Sequence, residues 1–178
     1  GAWSWDDHVK KGFEHWDGVR SHQACNNMKA MKIGEKAFFY HSVKEKQIVG
    51  VMEVVSDYYP DHTDKSEKFG MVDFKALYSL KTPVTLADIK ADERLHDLAL
   101  VRQSRLSVCP VGDEEWRIIC EMGGIDPCAI TDCAQSMKFL MVTAKNSWPP
   151  FRVGTAACLP SVRMARSIFI LIAAPTPA

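Results

Sequence analysis

The run from Trp16 to Ser42, WDGVRSHQACNNMKAMKIGEKAFFYHS, sets the tightest limits on what this chain can become. Ala24, Met28 and Met31 recur at the spacing of one helical face, and Gly34 supplies a stop, so a helix is expected over Ser21–Met31. The aromatic and β-branched residues of Lys36–Ser42 then read as a strand. Around these two boundaries the run gathers amide, imidazole, guanidinium and aromatic side chains. That mixture suits a polar pocket better than a core.

The flanking sequence supplies the elements that would carry such a pocket. Trp5, Val9 and Phe13 stand at i, i+4, i+8, with Ser4 placed to cap and Gly12 near the end, which predicts a short helix. Gln47–Ser56 predicts a second strand, paired with Lys36–Ser42 as a hairpin across Lys44, Glu45 and Lys46. Asp57–Lys68, polar and containing Pro60, reads as a loop, and Gly70–Leu80 as a further strand in an antiparallel sheet. Thr85 and Asp88 form a capping arrangement ahead of TLADIKAD. A short helix over Asp97–Ser104, a strand over Leu106–Cys109 and a helix over Asp113–Met122, stopped by Gly123 and Gly124, complete the pattern. Strands interleaved with short helices imply a compact α+β domain whose curved sheet closes toward a barrel.

Residues 126–178 differ in character. Every charged side chain after Asp132 is basic, and prolines fall at 149, 150, 160, 175 and 177. The expected division is therefore a domain over 1–125 and a carboxy-terminal extension over 126–178 that can add a strand to it. The apolar run at 168–174, IFILIAA, is far short of the ~20 residues that span a bilayer, so it is no transmembrane helix.

Formal net charge is zero, and the body before Asp132 is mildly acidic. Tight nonspecific duplex binding needs many phosphates neutralised by Lys and Arg, so any nucleic-acid recognition should be local. The six cysteines lack paired C-x-x-C spacing, and His8, His15 and His96 share no metal-ligand spacing, so no metal or cofactor is expected. With no signal peptide visible, reduced structural thiols in an intracellular protein are the expectation. There is no G-x-S-x-G, H-E-x-x-H, P-loop or dinucleotide fingerprint, which argues against an enzyme. A Cys25 dyad with His22 or His41 is the conceivable exception.

The motif GVRSHQACN, together with IVGVMEVVSDYYPDHT, MVDF, PVTLADIKAD, LALVRQSRLSV and EEWRIICEMGG in that order, resembles the signature of EVE domains. That group includes the thymocyte nuclear protein family and belongs to the PUA-like superfamily with YTH and PUA modules. The resemblance implies a PUA-like fold with a curved mixed sheet, no catalysis, and binding of a modified base such as 5-hydroxymethylcytosine or methylated adenine in DNA or RNA. It also implies a nuclear or cytoplasmic protein whose partner is nucleic acid rather than a membrane. Two departures stand out. The family usually reads GVRNYQARN, so Ser21, His22 and Cys25 replace an amide, a phenol and a guanidinium. These domains also open with an apolar strand ending in a Lys-Ser/Thr-Glu-Pro turn, whereas this chain opens with GAWSWDDH. Met137–Ala144, MKFLMVTA, faintly resembles that missing strand, so one expectation is a permuted domain in which the carboxy-terminal segment fills its slot. The other is an ordinary added strand followed by a loosely packed tail.

A base removed from its stack needs apolar contact on its faces and donors and acceptors at its edge. Ser21 and Asn26 can bond a base edge, His22 can donate or accept according to tautomer, and Tyr40, His41 and Ser42 can close the opposite side. By the resemblance, Val19, Arg20, Ser21, His22 and Asn26, with Tyr40, His41 and Ser42, map onto pocket-lining positions. Arg20 could hold a phosphate or brace the loop against a carboxylate such as Asp17, and His41 could contact ligand or be structural. Arg102 and Arg105 could reach phosphates beside the base, or pair with Asp97, Glu93 or Asp92. Trp16, Phe38 and Phe39 are expected in the core. The alternative function is a protein-interaction or small-molecule-binding module that has lost nucleic-acid recognition, its protein partners unknown.

Overall fold

A computed structural model describes residues 4–43, 45–127, 130 and 168–173. The chain begins with α1 (Trp5–Lys11), whose N-terminus is capped by the Ser4 hydroxyl accepting from the Asp7 N–H, and a three-residue strand β1 (Phe13–His15). Helix α2 (His22–Ala30) starts on the Ser21 cap and buries Ala24, Cys25 and Met28. The hairpin β2 (Lys36–His41) and β3 (Gln47–Val54) follows, then the two-residue strands β4 (Tyr59–Pro60) and β5 (Gly70–Met71), which pair with each other. The long strand β6 (Asp73–Thr85) runs into α3 (Leu86–Ala91) through the Thr85/Asp88 capping box. After a 3-10 turn at Glu93–Leu95 come α4 (Ala99–Arg102), β7 (Val108–Val111), α5 (Asp113–Met122) and finally β8 (Ile168–Ala173).

Six strands form a curled, PUA-like sheet in the order β1-β6-β3-β2-β8-β7. Strand β2 lies deep within it because both faces and both edges are covered. Phe38 stacks on Trp116 of α5 at 4.0 Å between ring centroids, while Phe39, pointing the other way, meets Trp5, His8 and Trp16. An unbroken apolar run suits a strand buried on both sides. Trp16, Phe38 and Phe39 are core residues. At Gly50 on β3 a Cβ would stand 2.3 Å from the Trp5 ring, so the indole lies flat on the strand only because the side chain is absent.

Several features differ from the sequence expectation. The helix read on Trp5, Val9 and Phe13 ends at Lys11, where Gly12 turns the chain at φ +84°, so Phe13 opens β1 and both it and Val9 are exposed. The antiparallel reading of the strands gives way to the mixed sheet that the family resemblance implied, since β8 runs parallel to β2 and antiparallel to β7. The 57–68 loop contains β4, whose pairing lets the Asp61 N–H donate to the Phe69 carbonyl. Strand β6 continues past Leu80 through Pro83: between Ser79, paired with Gly50, and Val84, paired with Ile48, the strand bulges. The Lys81 and Thr82 amides turn there to the Gly123 carbonyl. A proline is tolerated in such an irregularity because no ladder donor is lost. Strand β7 begins at Val108 rather than Leu106, because the Leu106 amide is held in a turn by the Gln103 carbonyl.

Met137–Ala144 lies outside the described residues. The run 168–173 supplies β8, with Ala37–His41 in parallel register against Phe169–Ala173.

Candidate functional site

Gly18, at φ +72°, turns the chain from Trp16 into α2 and points its N–H at Asp61, 2.9 Å away. The Asp61 side chain is fully buried and also accepts from the Thr63 N–H (2.7 Å), the Thr63 hydroxyl (2.6 Å) and the Arg20 guanidinium (2.7 Å). Burial alone would raise its pKa. The Thr63 hydroxyl, Arg20 and the two backbone donors outweigh that and hold it down at about 2. The same network raises the Arg20 pKa, chiefly through the hydrogen bond to Asp61. Arg20 also donates to the Thr63 hydroxyl at 2.8 Å. The carboxylate that braces Arg20 is thus Asp61, supplied by the loop, rather than Asp17.

This clamp fixes the loop against the start of α2. Asp64 accepts from the Ser66 hydroxyl and from the Ser66, Lys68 and Phe69 amides, which push its pKa well below the usual carboxylate range. Phe69 is thereby held with its ring 5.0 Å from the His22 imidazole and 5.8 Å from the Arg20 guanidinium carbon. His22 is exposed beside it, and Asn26, one turn further along the same face of α2, is exposed as well. An aromatic face, an imidazole, an amide and a guanidinium therefore share one surface.

Val19 is buried, and its carbonyl accepts from the Cys25 thiol at 3.8 Å. The Ser21 hydroxyl is engaged as the α2 cap, accepting from the Ala24 N–H at 3.4 Å. Helix α2 is tied to the end of α4 by Gln23 donating to Gln103 (3.0 Å) and to the edge strand β7 by Asn27 donating to the Val108 carbonyl (2.8 Å).

Tyr40, His41 and Ser42 sit at the end of β2. Tyr40 is buried, and burial raises its hydroxyl pKa. The Nε2 of His41 accepts from the Trp5 N–H at 3.2 Å, which places the ring proton on Nδ1, 2.6 Å from Glu45. His41 therefore locks α1 and the hairpin to β2. Ser42 is half-buried. The structure brings Val19, Arg20, Ser21 and His22 to the clamped loop with Asn26 one turn along α2, and holds Tyr40 and His41 at the end of β2 with Ser42 just beyond it. The two groups are linked through β7 and β8, because Val108 is level with Leu171 and Leu171 with Phe39.

Arg102 pairs with Asp97, one of the carboxylates anticipated for it, and both side chains are well exposed. Arg105 is exposed between α4 and β7. Cys25, Cys109 and Cys120 are free and buried, and burial pushes the Cys109 and Cys120 thiols up to about 11 and about 12. Among the described residues no group of three or more His, Cys, Asp or Glu is placed to hold a metal ion, and no helix is long and apolar enough to cross a membrane. Sequence reasoning missed Asp61, Thr63 and Phe69, which lie more than forty positions from the residues they contact. The one available signal was the acidic and hydroxyl content of PDHTD.

The model of the EVE domain matches residues 1–122. The chain belongs to the EVE domain family. Human thymocyte nuclear protein 1 is 35% identical over 135 residues, covering 63% of this chain and 60% of that protein. The chain thus spans less than two thirds of that relative's length. Among solved structures, Rpa0253 from Rhodopseudomonas palustris is 56% identical with a TM-score of 0.65, covering 68% of this chain and 86% of its own. The human THYN1 protein in complex with 5-methylcytosine containing DNA is 33% identical with a TM-score of 0.65, covering 70% of this chain and 88% of that one.

Proposed function

We propose that this EVE domain is a noncatalytic reader that binds DNA carrying a modified cytosine. The base would be flipped out of the duplex toward the surface formed by the start of α2, the 57–69 loop and the Tyr40 end of β2. The observation that carries this reading is the similarity to the human protein bound to 5-methylcytosine containing DNA. The geometry supports it: Phe69 and His22 offer planar contact, and Asn26 and the His22 ring offer polar groups for a base edge. Arg20, held in place by Asp61, offers charge for a neighbouring phosphate. The buried, cap-engaged state of Val19 and Ser21 gives them a shaping role, with His22 and Asn26 as the contact residues. A nuclear location accords with the name of the vertebrate relatives.

Fluorescence anisotropy at fixed salt, with matched single-stranded and duplex oligonucleotides carrying cytosine, 5-methylcytosine, 5-hydroxymethylcytosine or methyladenine, tests the reading. Preference for one modified cytosine is the expected result. Equal or absent binding across the set would overturn it and favour the interaction module. His22→Ala should weaken the preferred ligand by about 1 kcal/mol, roughly fivefold, while leaving unmodified DNA nearly unchanged.

A further inference from the structure

Strand β8 has an unusual place in the topology. The pairings β1–β6, β6–β3 and β3–β2 all lie within Phe13–Thr85, whereas β8 is reached only after the chain has travelled from Met122 to Ile168. It is nevertheless interior, and among the described strands it is the sole neighbour of β7. The rest of the domain has its own fastenings. Helix α5 is held to β2 by the Phe38–Trp116 stack, and α2 is tied to β7 by the Asn27 hydrogen bond to Val108. A strand that is far in sequence from both partners, pairs in parallel on one side and takes no part in those fastenings belongs at the low end of local stability.

We propose that β8 is an add-on strand: the chain's own residues 168–173 occupy a preformed slot between β2 and β7 and leave it without unfolding the body. The slot has a functional consequence, which rests on the reader reading above. Tyr40 is level with Ile172 and His41 with Ala173, while Val108, the α2 anchor, is level with Leu171. With β8 in place, β2 and β7 stand two strand spacings apart, about 9–10 Å. The inserted strand therefore sets the distance between the α2 side of the candidate site and its Tyr40 side. Emptying the slot would release both edges and let β7, with α2, shift relative to β2.

Hydrogen exchange on the full-length chain tests the slot without any ligand. The expected result is that the amides of 168–173 exchange together with the facing amides of β2 and β7, at least tenfold faster than the β3–β6 ladder. Exchange of 168–173 at the rate of that ladder would overturn the proposal by making β8 an integral core strand. Absence of protection there would overturn it by leaving the slot empty. In full-length Ile170→Pro, protection at 168–173 should vanish while the β3–β6 ladder stays protected. A lysine-flanked synthetic peptide of residues 167–174 should restore protection to β2 and β7, and general loss of protection in the variant would count against the proposal. On 5-methylcytosine DNA the variant should bind at least tenfold more weakly, recovering with the peptide. If wild-type protein fails to bind that DNA, the reader reading falls while the exchange result still decides the slot.

Discussion

Arg20 and Arg102 each end on an aspartate, but the two aspartates sit in opposite surroundings. Asp61 is fully buried and satisfied by four donors, whereas Asp97 is 78% exposed, as is 66% of its arginine. The first pair is the centre of a network that joins two segments forty residues apart. The second bridges one short turn in high dielectric, where an ion pair is worth little. An arginine motif therefore acquires a structural role only when the fold brings it a desolvated partner.

The sharpest way to break the comparison is to remove both carboxylates in parallel. Asp61→Ala should cost roughly 2–4 kcal/mol, because it strands buried donors at Gly18 and Thr63 and frees the loop from α2. The urea midpoint should fall with the slope unchanged. Asp97→Ala should leave the midpoint within about 0.5 kcal/mol of wild type. Equal losses would show that the buried network adds nothing to a surface pair.

Acid titration sharpens the same contrast. The folded pKa of Asp61 is depressed to about 2 from an ordinary 3.8, so its contribution is present above pH 4 and is lost as pH falls toward 2. That contribution is on the order of 2 kcal/mol by linkage. Stability measured against pH should therefore drop steeply between 4 and 2 in wild type and less steeply in Asp61→Asn. A residual slope belongs to Asp7, Asp64, Asp88 and Asp92, whose pKa values are also lowered. Identical profiles would remove Asp61 from the account.

This asymmetry also explains what could be read in the residues beforehand. The helix over 22–30, the β2–β3 hairpin and the Thr85/Asp88 cap depend on neighbours within a few positions, so periodicity and capping chemistry locate them. GVRSHQACN marked the start of α2 for the same reason. The Asp61 clamp and the Phe69 platform are long-range contacts, and no local pattern encodes which loop folds over a helix start. His41 illustrates the limit from the other side. Its type suited ligand contact or a structural role equally, and only the positions of Trp5 and Glu45 show that both ring nitrogens are engaged. The parallel placement of 168–173 was illegible because a short apolar run does not name its partner strand.

The smallest stability effect belongs to Arg102 and Arg105, and it separates positioning from recognition. Replacing either with alanine removes at most an exposed pair, so the urea midpoint should move by less than about 0.5 kcal/mol. If these guanidiniums meet phosphates beside the flipped base, each substitution should weaken modified and unmodified DNA by the same factor and lower the salt slope by about one. Arg105 should show the larger change, because Arg102 must first give up Asp97. Arg20→Ala should behave differently, since losing it also leaves the buried Asp61 charge short of a partner and loosens the Phe69 face: affinity for the modified base should fall more than affinity for plain DNA. A uniform loss for all three arginines would mean that Arg20 acts only as another phosphate contact, and that the clamp matters to the loop but not to the choice of base.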